Sequence, residues 1–385
     1  MKVGLFVDTY YPMVDGVINV VHNYAKRLVS KCDVTVYCPG FKDYDIEEDK
    51  KYTYPIVRCY SLPLSRLDYS LPIPVLDAKF DLSLIRDNLD IVHIHSPFTV
   101  GLVGLNYAKI TNKPLIATLH SQYKQDLERN IKIYPLVDVA MFGIMSIFNA
   151  CDECWTVNAE IKKLYENEYG LTSPCKIRPN ATEHVPVKDK LVSDALINRK
   201  YGISDDEIVL LFVGRINLIK NLDFLVRSLA KVKEMDVKFK MLFVGQGQDE
   251  KTLSETITSL NLQNEVIMCG LVTDKFELES IYSRAKLFLF PSLYDANSLV
   301  QIEAACQGTP TVFIEGAKTA GSVTDNVNGF IAEPNEESYA LKIKEILSNA
   351  ELYDKVSTGA KRDLYITWDD VVNDVYNDYC KKIQI

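Results

Sequence analysis

Short, continuous apolar runs alternate with amphipathic stretches along the whole of this chain. That alternation narrows the fold more than any other feature. Val3–Val7, Val34–Tyr37, Ile91–Ile94, Leu115–Leu119 and Cys154–Val157 are rich in Val, Ile and Leu and lack polar alternation. Such runs predict strands buried on both faces, as in parallel sheets. After residue 200 the pattern resumes with Ile208–Val213, Met241–Val244, Val266–Cys269, Leu287–Phe290 and Thr311–Ile314. Val17–Leu28, Leu222–Lys233 and Gln248–Leu260 have helical periodicity. A repeated βα pattern predicts an α/β architecture of doubly wound parallel sheets.

The 385 residues suffice for two domains of ordinary size. The break is expected between Lys176 and Pro186, because a polar stretch follows and a new strand starts at Ile208. The reading is therefore two Rossmann-like domains, 1–184 and 185–365, facing across a cleft. Trp368 to Ile383 forms a separate amphipathic helix with Val371, Val375, Tyr379 and Ile383 on one face.

The formal charge is −9, which argues against nucleic-acid binding, since no pervasive basic footprint exists. Residues 1–180 carry 20 basic against 21 acidic residues, and the remainder 23 against 31. An acidic or membrane-bound partner thus fits the first half better. Nine scattered cysteines without framework spacing suit a reducing compartment, hence a cytoplasmic protein. Met1–Asp8 turns polar too soon for a signal peptide. Ile131–Ala150 is the most apolar region, but Pro135 and Asp138 interrupt it, so a buried helix is expected. Lys124, Arg129 and Lys132 just before it support a second reading, weak association with the inner face of a membrane. Cys151 and Cys154 form a lone CxxC after that apolar segment, out of place for thioredoxin-like chemistry. His93 and His95 share a strand face, yet nothing at suitable spacing completes a metal site.

In open α/β sheets ligands sit beyond the carboxyl ends of the strands. There the chain places Tyr10–Gly16, His120-Ser121, Gly214-Arg215 with Lys220, and Gly245-Gln246-Gly247. The segment after Phe290 is the most specific. Asp295 is followed eight positions later by Glu303, and Ser298 with Gln301 reads as a capping box, so a helix should start near Asn297 or Ser298. The N–H groups of Asn297, Ser298, Leu299 and Val300 would then form an anion site between two carboxylates. A nucleotide sugar needs that combination: a phosphate flanked by hydroxyl-binding carboxylates. An ordinary solvated Asp and Glu, a surface salt bridge at Arg215, a solvated Lys220 and a satisfied core histidine at 120 are the alternatives these residues leave open.

Taken in order, the segments resemble the retaining GT-B glycosyltransferases of family 4 over essentially the full length. Val213–Asn221 resembles the strand-GR-loop-K segment, Gly245–Gly247 the GxG turn, and Asp295 and Glu303 the E-x7-E pair. Arg178–Ala181 matches the PNG hinge loosely, Asn328–Ile331 the late NG strand, and Tyr365–Trp368 the start of the terminal helix. The resemblance implies the GT-B fold, with 366–385 crossing back to the first, acceptor-side domain and 185–365 binding the nucleotide sugar. It implies hexosyl or N-acetylhexosaminyl transfer from a nucleotide sugar, commonly UDP-linked, to a hydroxyl of a glycan or lipid-linked acceptor. Glycolipid or envelope polysaccharide synthesis would be the setting.

Arg215 and Lys220 would meet the leaving diphosphate, Glu303 the ribose, and Asp295 the donor sugar at the anomeric centre. His120 would face the donor, and Gly16, Gly214 and Gly245 would let backbone approach it. The chemistry would be metal-independent and need no other cofactor, with Tyr10–Asn19 and His120–Lys132 receiving the acceptor and hinges near Asn180 and before Trp368. Asp replaces the usual Glu at 295, Ala181 the second Gly of the hinge, Gly321 a usual Glu, and Asp15 one Gly of the first loop. A UDP-sugar 2-epimerase and a non-catalytic GT-B scaffold share the fold and remain the rival readings.

Overall fold

The computed structural model describes residues 1–13, 15–63 and 70–383. By backbone proximity the chain divides into two units, Met1–Asn180 with Trp368–Ile385, and Ala181–Thr367. In each the apolar runs are parallel strands, mostly buried; at Val266–Cys269 only Val266 is buried, because that strand lies at the edge of its sheet.

The first unit contains strands β1 (Lys2–Phe6), β2 (Asp33–Pro39), β3 (Ile56–Cys59), β4 (Ser61–Pro63), β5 (Ser70–Pro72), β6 (Ile91–Ile94), β7 (Leu115–Leu119), β8 (Glu153–Thr156) and β9 (Cys175–Ile177). Its helices are α1 (Gly16–Leu28), α2 (Ala78–Asp87), α3 (Thr99–Thr111), α4 (Tyr123–Asn130), α5 (Tyr134–Asn149) and α6 (Ala159–Lys163). Seven strands form one sheet in the order β3-β2-β1-β6-β7-β8-β9, and β4 pairs with β5 antiparallel. The sheet is parallel throughout, with Leu5 opposite Val36 on one side and His93 on the other.

The second unit contains α7 (Lys190–Tyr201), β10 (Ile208–Val213), α8 (Leu222–Glu234), β11 (Phe239–Val244), α9 (Glu250–Ser259), β12 (Val266–Gly270), α10 (Lys275–Arg284), β13 (Leu287–Leu289), α11 (Leu299–Cys306), β14 (Thr311–Ile314), β15 (Phe330–Ala332), α12 (Glu336–Ser348) and α13 (Ala350–Leu364). Its parallel sheet has the order β12-β11-β10-β13-β14-β15. Leu210, Leu211 and Phe212 of β10 are wholly buried. Each such side chain contributes roughly 1.5–3 kcal/mol of hydrophobic stabilisation, so the central strands anchor the unit. Strand order reverses between β1 and β6 in the first sheet and between β10 and β13 in the second. Loops leaving those strands diverge there and open a crevice.

The last helix, α14 (Trp368–Ile383), belongs to the first unit. Trp368, Val371, Val372, Val375 and Tyr379 are buried, whereas Ile383 is exposed and lies off the expected face. Its polar side is tied down by ions: Arg178 pairs with Asp374 at 3.0 Å and with Asp378, and Arg27 with Asp369 at 2.7 Å.

The apolar segment at Ile131–Ala150 departs from the buried helix its composition suggested. Val137, Met141, Ile144, Met145 and Phe148 of α5 face the core. Ile133, Tyr134, Leu136, Val139 and Phe142 are exposed. Among the described residues no helix is long and apolar enough to cross a membrane.

Candidate active site

Three loops at the carboxyl edge of the second sheet are held together by their backbones. Gly214 N–H donates to Val244 O at 2.9 Å, Ile216 N–H to Gln246 O at 3.0 Å, and Gly245 N–H to Gly270 O at 2.8 Å. Gly245 has φ +132, and a Cβ there would lie 2.0 Å from the Gly214 carbonyl oxygen. Only glycine tolerates both conditions. The motif glycines therefore let the loops after β10 and β11 pack backbone on backbone. Gly214 itself has φ +154.

From that anchored loop a short 3₁₀ turn, Leu218–Lys220, projects the Lys220 side chain. Its start is fixed by Asn217 Oδ1 accepting from Ile219 N–H and by Asp249 Oδ2 accepting from Leu218 N–H. The ammonium group donates to both carboxylate oxygens of Asp295, at 2.7 and 2.9 Å. Ser292 Oγ donates a further 2.6 Å hydrogen bond to Asp295 Oδ2. Lys220 and Asp295 come from either side of the β10/β13 reversal. Arg215 is exposed, and none of the described residues engages its guanidinium in an ion pair or hydrogen bond.

The helix after Asp295 starts at Leu299 with Ser298 in the N-cap position, close to expectation. The capping box is not made. The Ser298 side chain gives no capping hydrogen bond, and its N–H instead donates to Thr319 Oγ1 at 3.1 Å. The helix N-terminus is thus braced from the loop after β14. Its first-turn N–H groups lack the i−4 carbonyls that satisfy interior turns. Asn297, Leu299 and Val300 are partly exposed there, while Ser298 is buried.

Glu303 lies one turn further in. Its Oε2 accepts from the Tyr282 hydroxyl at 2.8 Å, and its Oε1 lies 3.8 Å from His184 Nε2. Burial pushes the Glu303 carboxyl up, against the lowering influence of His184 and the Tyr282 hydrogen bond. The sequence reading missed His184; it stands three residues beyond Ala181, in the stretch taken only as a linker.

In the first unit, Gly16 is the opening residue of α1, where an added Cβ would meet nothing within 4 Å. Asp15 caps that helix by accepting from Ile18 N–H at 2.8 Å. Within the Tyr10–Asn19 loop, Val14 lies outside the described residues, as do Gln384 and Ile385 at the end of the terminal segment. His120 follows β7 and contacts His95, Nε2 to Nδ1, at 3.0 Å. Burial lowers its pKa to about 3, so the ring is neutral near pH 7. Among the described residues the buried Nε2 of His95 finds no hydrogen-bond partner. His93 is a satisfied core histidine, bonded to Tyr379 Oη at 2.5 Å and Thr118 Oγ1 at 2.7 Å.

Asp8 was also unforeseen. It closes β1 and accepts from Val100 N–H at 2.7 Å, Gly101 N–H at 3.2 Å and the Ser96 hydroxyl at 2.9 Å. That role caps α3 across the β1/β6 reversal. Cys151 and Cys154 are buried, and the Cys154 thiol, held up by its hydrogen bond with Cys151 and by burial, stays protonated. Among the described residues no three His, Cys, Asp or Glu side chains are grouped to hold a metal.

Comparison with known proteins decides the family. Residues 14–184 match the model for glycosyltransferase family 4, and residues 193–363 match that for glycosyl transferases group 1. The chain belongs to glycosyltransferase family 4. This glycosyltransferase is 25% identical to the alpha-monoglucosyldiacylglycerol synthase of Acholeplasma laidlawii, over 100% of its own length and 97% of that enzyme. It is 23% identical to the GDP-mannose-dependent alpha-mannosyltransferase of Corynebacterium glutamicum, over 86% and 77% of the two chains. The crystal structure of Anabaena HepE in complex with UDP superposes with a TM-score of 0.77 at 15% identity, covering 99% of this chain and 100% of that one. The fold of this glycosyltransferase is GT-B.

Proposed function

We propose that this glycosyltransferase moves a hexosyl or N-acetylhexosaminyl group, with retention, from a UDP-sugar to a hydroxyl of a membrane glycolipid or lipid-linked envelope glycan. The observation that carries the reading is the Lys220–Asp295 pair at the strand-order reversal, beside the N-terminus of α11.

As the bond between sugar and diphosphate breaks, negative charge grows on the β-phosphate. Lys220, Arg215 and the N–H groups of Asn297, Leu299 and Val300 would stabilise that charge, together with backbone made accessible at Gly214 and Gly245; the Ser298 N–H, expected in that set, is given to Thr319 Oγ1 instead. Such cationic and dipolar groups can serve without a metal, so metal-independence is part of the proposal. A diphosphate competes with Asp295 for the ammonium group, and the carboxylate, still held by Ser292, can then accept from donor-sugar hydroxyls. Glu303 would accept from the ribose. On the first unit, His120 is assigned to the donor sugar and Gly16 to a close backbone approach.

No side chain is assigned as a covalent nucleophile. The leaving phosphate would deprotonate the acceptor hydroxyl as the new bond forms on the same face. A lipid acceptor is favoured by the apolar outer face of α5 and by the relative that is a glucosyldiacylglycerol synthase. That face, with Lys124, Arg129 and Lys132 before it, would hold the protein weakly at the inner surface of a membrane.

The test is calorimetry against UDP, GDP and ADP, followed by transfer assays with the matching sugar nucleotides and lipid acceptors. Selective UDP binding and an α-linked product from an α-linked donor are expected. An inverted linkage, a trapped glycosyl-enzyme adduct, or conversion of UDP-GlcNAc to UDP-ManNAc without acceptor would overturn the proposal. Failure to bind any nucleotide would favour the scaffold reading.

A further inference from the structure

His184 lies between two carboxylates that come from different helices. Its Nδ1 is 3.2 Å from Glu279 Oε1 on α10, and its Nε2 is 3.8 Å from Glu303 Oε1 on α11. Its position leaves little freedom. His184 N–H donates to Thr182 Oγ1 at 3.0 Å, and its carbonyl accepts from the Tyr365 hydroxyl at 3.3 Å. Val185 N–H donates to Glu279 Oε1 at 3.0 Å, and Val187 N–H to Gln307 Oε1 at 2.9 Å. The irregular segment from 182 to 187 is thereby fastened to α10 and to Gln307 at the end of α11, with the imidazole between Glu279 and Glu303.

Glu279 is only 5% exposed, and a buried carboxylate requires donors. Its acceptance from Nδ1 fixes the Nδ1–H tautomer and points Nε2 at Glu303. At 3.8 Å that approach is electrostatic rather than a direct hydrogen bond. Glu303 Oε2 is already taken by Tyr282, whereas Oε1 lies toward the imidazole and, among the described residues, accepts no hydrogen bond. Glu279 and Tyr282 from α10 and Glu303 from α11 face the ring, and the titratable groups next to these are Lys275 beside Glu279, Cys306 near both carboxylates, and Tyr365 on the His184 carbonyl.

We infer that His184 is a positioning residue for nucleoside recognition, holding Glu303 ionised and oriented so that its carboxylate accepts the ribose hydroxyls of the donor. The inference rests on the reading of Glu303 as the ribose carboxylate. With its Nδ1–H given to Glu279, the ring can carry its second proton only on Nε2, toward Glu303. The imidazolium then offsets the cost of an ionised carboxylate in a buried place. A neutral ring instead turns a lone pair toward Glu303, and the carboxyl gains by taking a proton. A protonated carboxyl offers the diol one good acceptor fewer.

The experiment is calorimetry with UDP and GDP, each compared with its 2′,3′-dideoxy analogue, on wild type, His184→Gln and Glu303→Gln. Wild type is expected to prefer the ribonucleotide by about tenfold or more, roughly one charge-assisted hydrogen bond. His184→Gln should lose most of that preference while binding the dideoxy analogue as wild type does. In turnover it should raise the donor KM with little change in kcat. A purely structural histidine would weaken both ligands equally, and that outcome overturns the inference. If Glu303→Gln removes the preference but His184→Gln retains it, only the role of His184 falls. If wild type shows no preference in either nucleotide, the ribose reading of Glu303 falls as well. Equal melting temperatures of unliganded wild type and His184→Gln would confirm that folding is not the variable.

Discussion

Lys220 binds Asp295 through both carboxylate oxygens, at 2.7 and 2.9 Å, and each side chain is less than a quarter exposed. The family resemblance gives the two residues different parts of a donor, the phosphate and the sugar. The structure makes them each other's partner. A pair so placed keeps a cation and an anion half-buried at moderate cost, because each compensates the other. It also implies competition: a group that engages Lys220 draws the ammonium away from Asp295, which keeps its hydrogen bond from Ser292.

Asp295→Asn separates the two effects. The variant keeps the shape but releases the ammonium from a full negative charge. UDP should bind as tightly as in wild type or more tightly, while kcat falls about 10²–10³-fold through loss of the carboxylate at the sugar, the size of a deleted charge-stabilising contact. Lys220→Ala should weaken UDP binding and kcat together. Calorimetry and steady-state kinetics on the two variants test the assignment; parallel loss of UDP affinity in both would contradict it.

Two glycines of the motif set should answer differently to alanine. At Gly245 a Cβ would overlap the Gly214 carbonyl at 2.0 Å, and φ is +132. Gly245→Ala should cost several kcal/mol, about the sum of a strained backbone conformation and an overpacked contact. At Gly16 a Cβ meets open space in a helical first turn. Gly16→Ala should leave stability within about 0.5 kcal/mol yet lower turnover, if ligand approaches that backbone. Urea titrations beside activity assays read both.

The central strands were legible because each is a run of apolar residues buried on both sides. Ile208–Val213 matches β10 residue for residue. The edge strands β3 and β9 were not legible. Ile56–Cys59 includes a charged Arg, and Cys175–Ile177 is three residues with partial exposure, so neither carries an apolar run. The Asp295–Glu303 segment was readable as strand, loop and helix, since local spacing carries that information. The partner of Lys220 was not, since 75 positions separate it from Asp295 and only sheet order brings them together. His184 was hidden for the same reason: nothing local marks a linker histidine that will sit between α10 and α11. The outer face of α5 was misjudged because apolar composition alone cannot tell a buried helix from one with an exposed apolar side.

Acid should destabilise the first unit before it reaches the carboxylate range. His93, His95 and His120 have pKa values lowered chiefly by burial, His120 from 6.5 to about 3. In the unfolded chain these rings take up protons near 6.5 that the folded state refuses. The unfolded state then binds more protons between about 3 and 6.5, so unfolding free energy rises with pH across that window and is lost as pH falls. The urea midpoint should drop between pH 7 and 5, and His120→Asn should make the drop shallower. An unchanged slope would mean that the rings protonate in place.

Glu303 works in the opposite sense. Its carboxyl is raised above 4.5 by burial, so the folded state holds a proton that the unfolded chain has released. The folded state binds more protons just above 4.5, and stability contributed by this group declines as pH rises through that window. Glu303→Gln, neutral at every pH, should therefore be at least as stable as wild type at pH 8, with the advantage shrinking toward pH 4.5. Melting curves of unliganded protein across that range decide it. A glutamine variant clearly less stable at pH 8 would show that the Tyr282 and His184 contacts outweigh the cost of burying the charge.

The exposed face of α5 makes the membrane reading testable apart from catalysis. Val139 is 68% and Phe142 77% exposed, about a sixth of a turn from each other around the helix, and Tyr134 and Leu136 are exposed as well. Asp138 stands on the same exposed side, and Asp126 and Glu128 offset the nearby cations, so electrostatic attraction alone should be weak. Insertion of the apolar side chains would supply the larger share, about 1.5–3 kcal/mol for each residue fully buried. Flotation with vesicles of anionic phospholipid should carry wild type upward. The double variant Val139→Ser, Phe142→Ser should lose at least tenfold in vesicle affinity while binding UDP unchanged. Equal flotation of both proteins would remove α5 from the membrane surface and leave the lipid acceptor without structural support in the first unit.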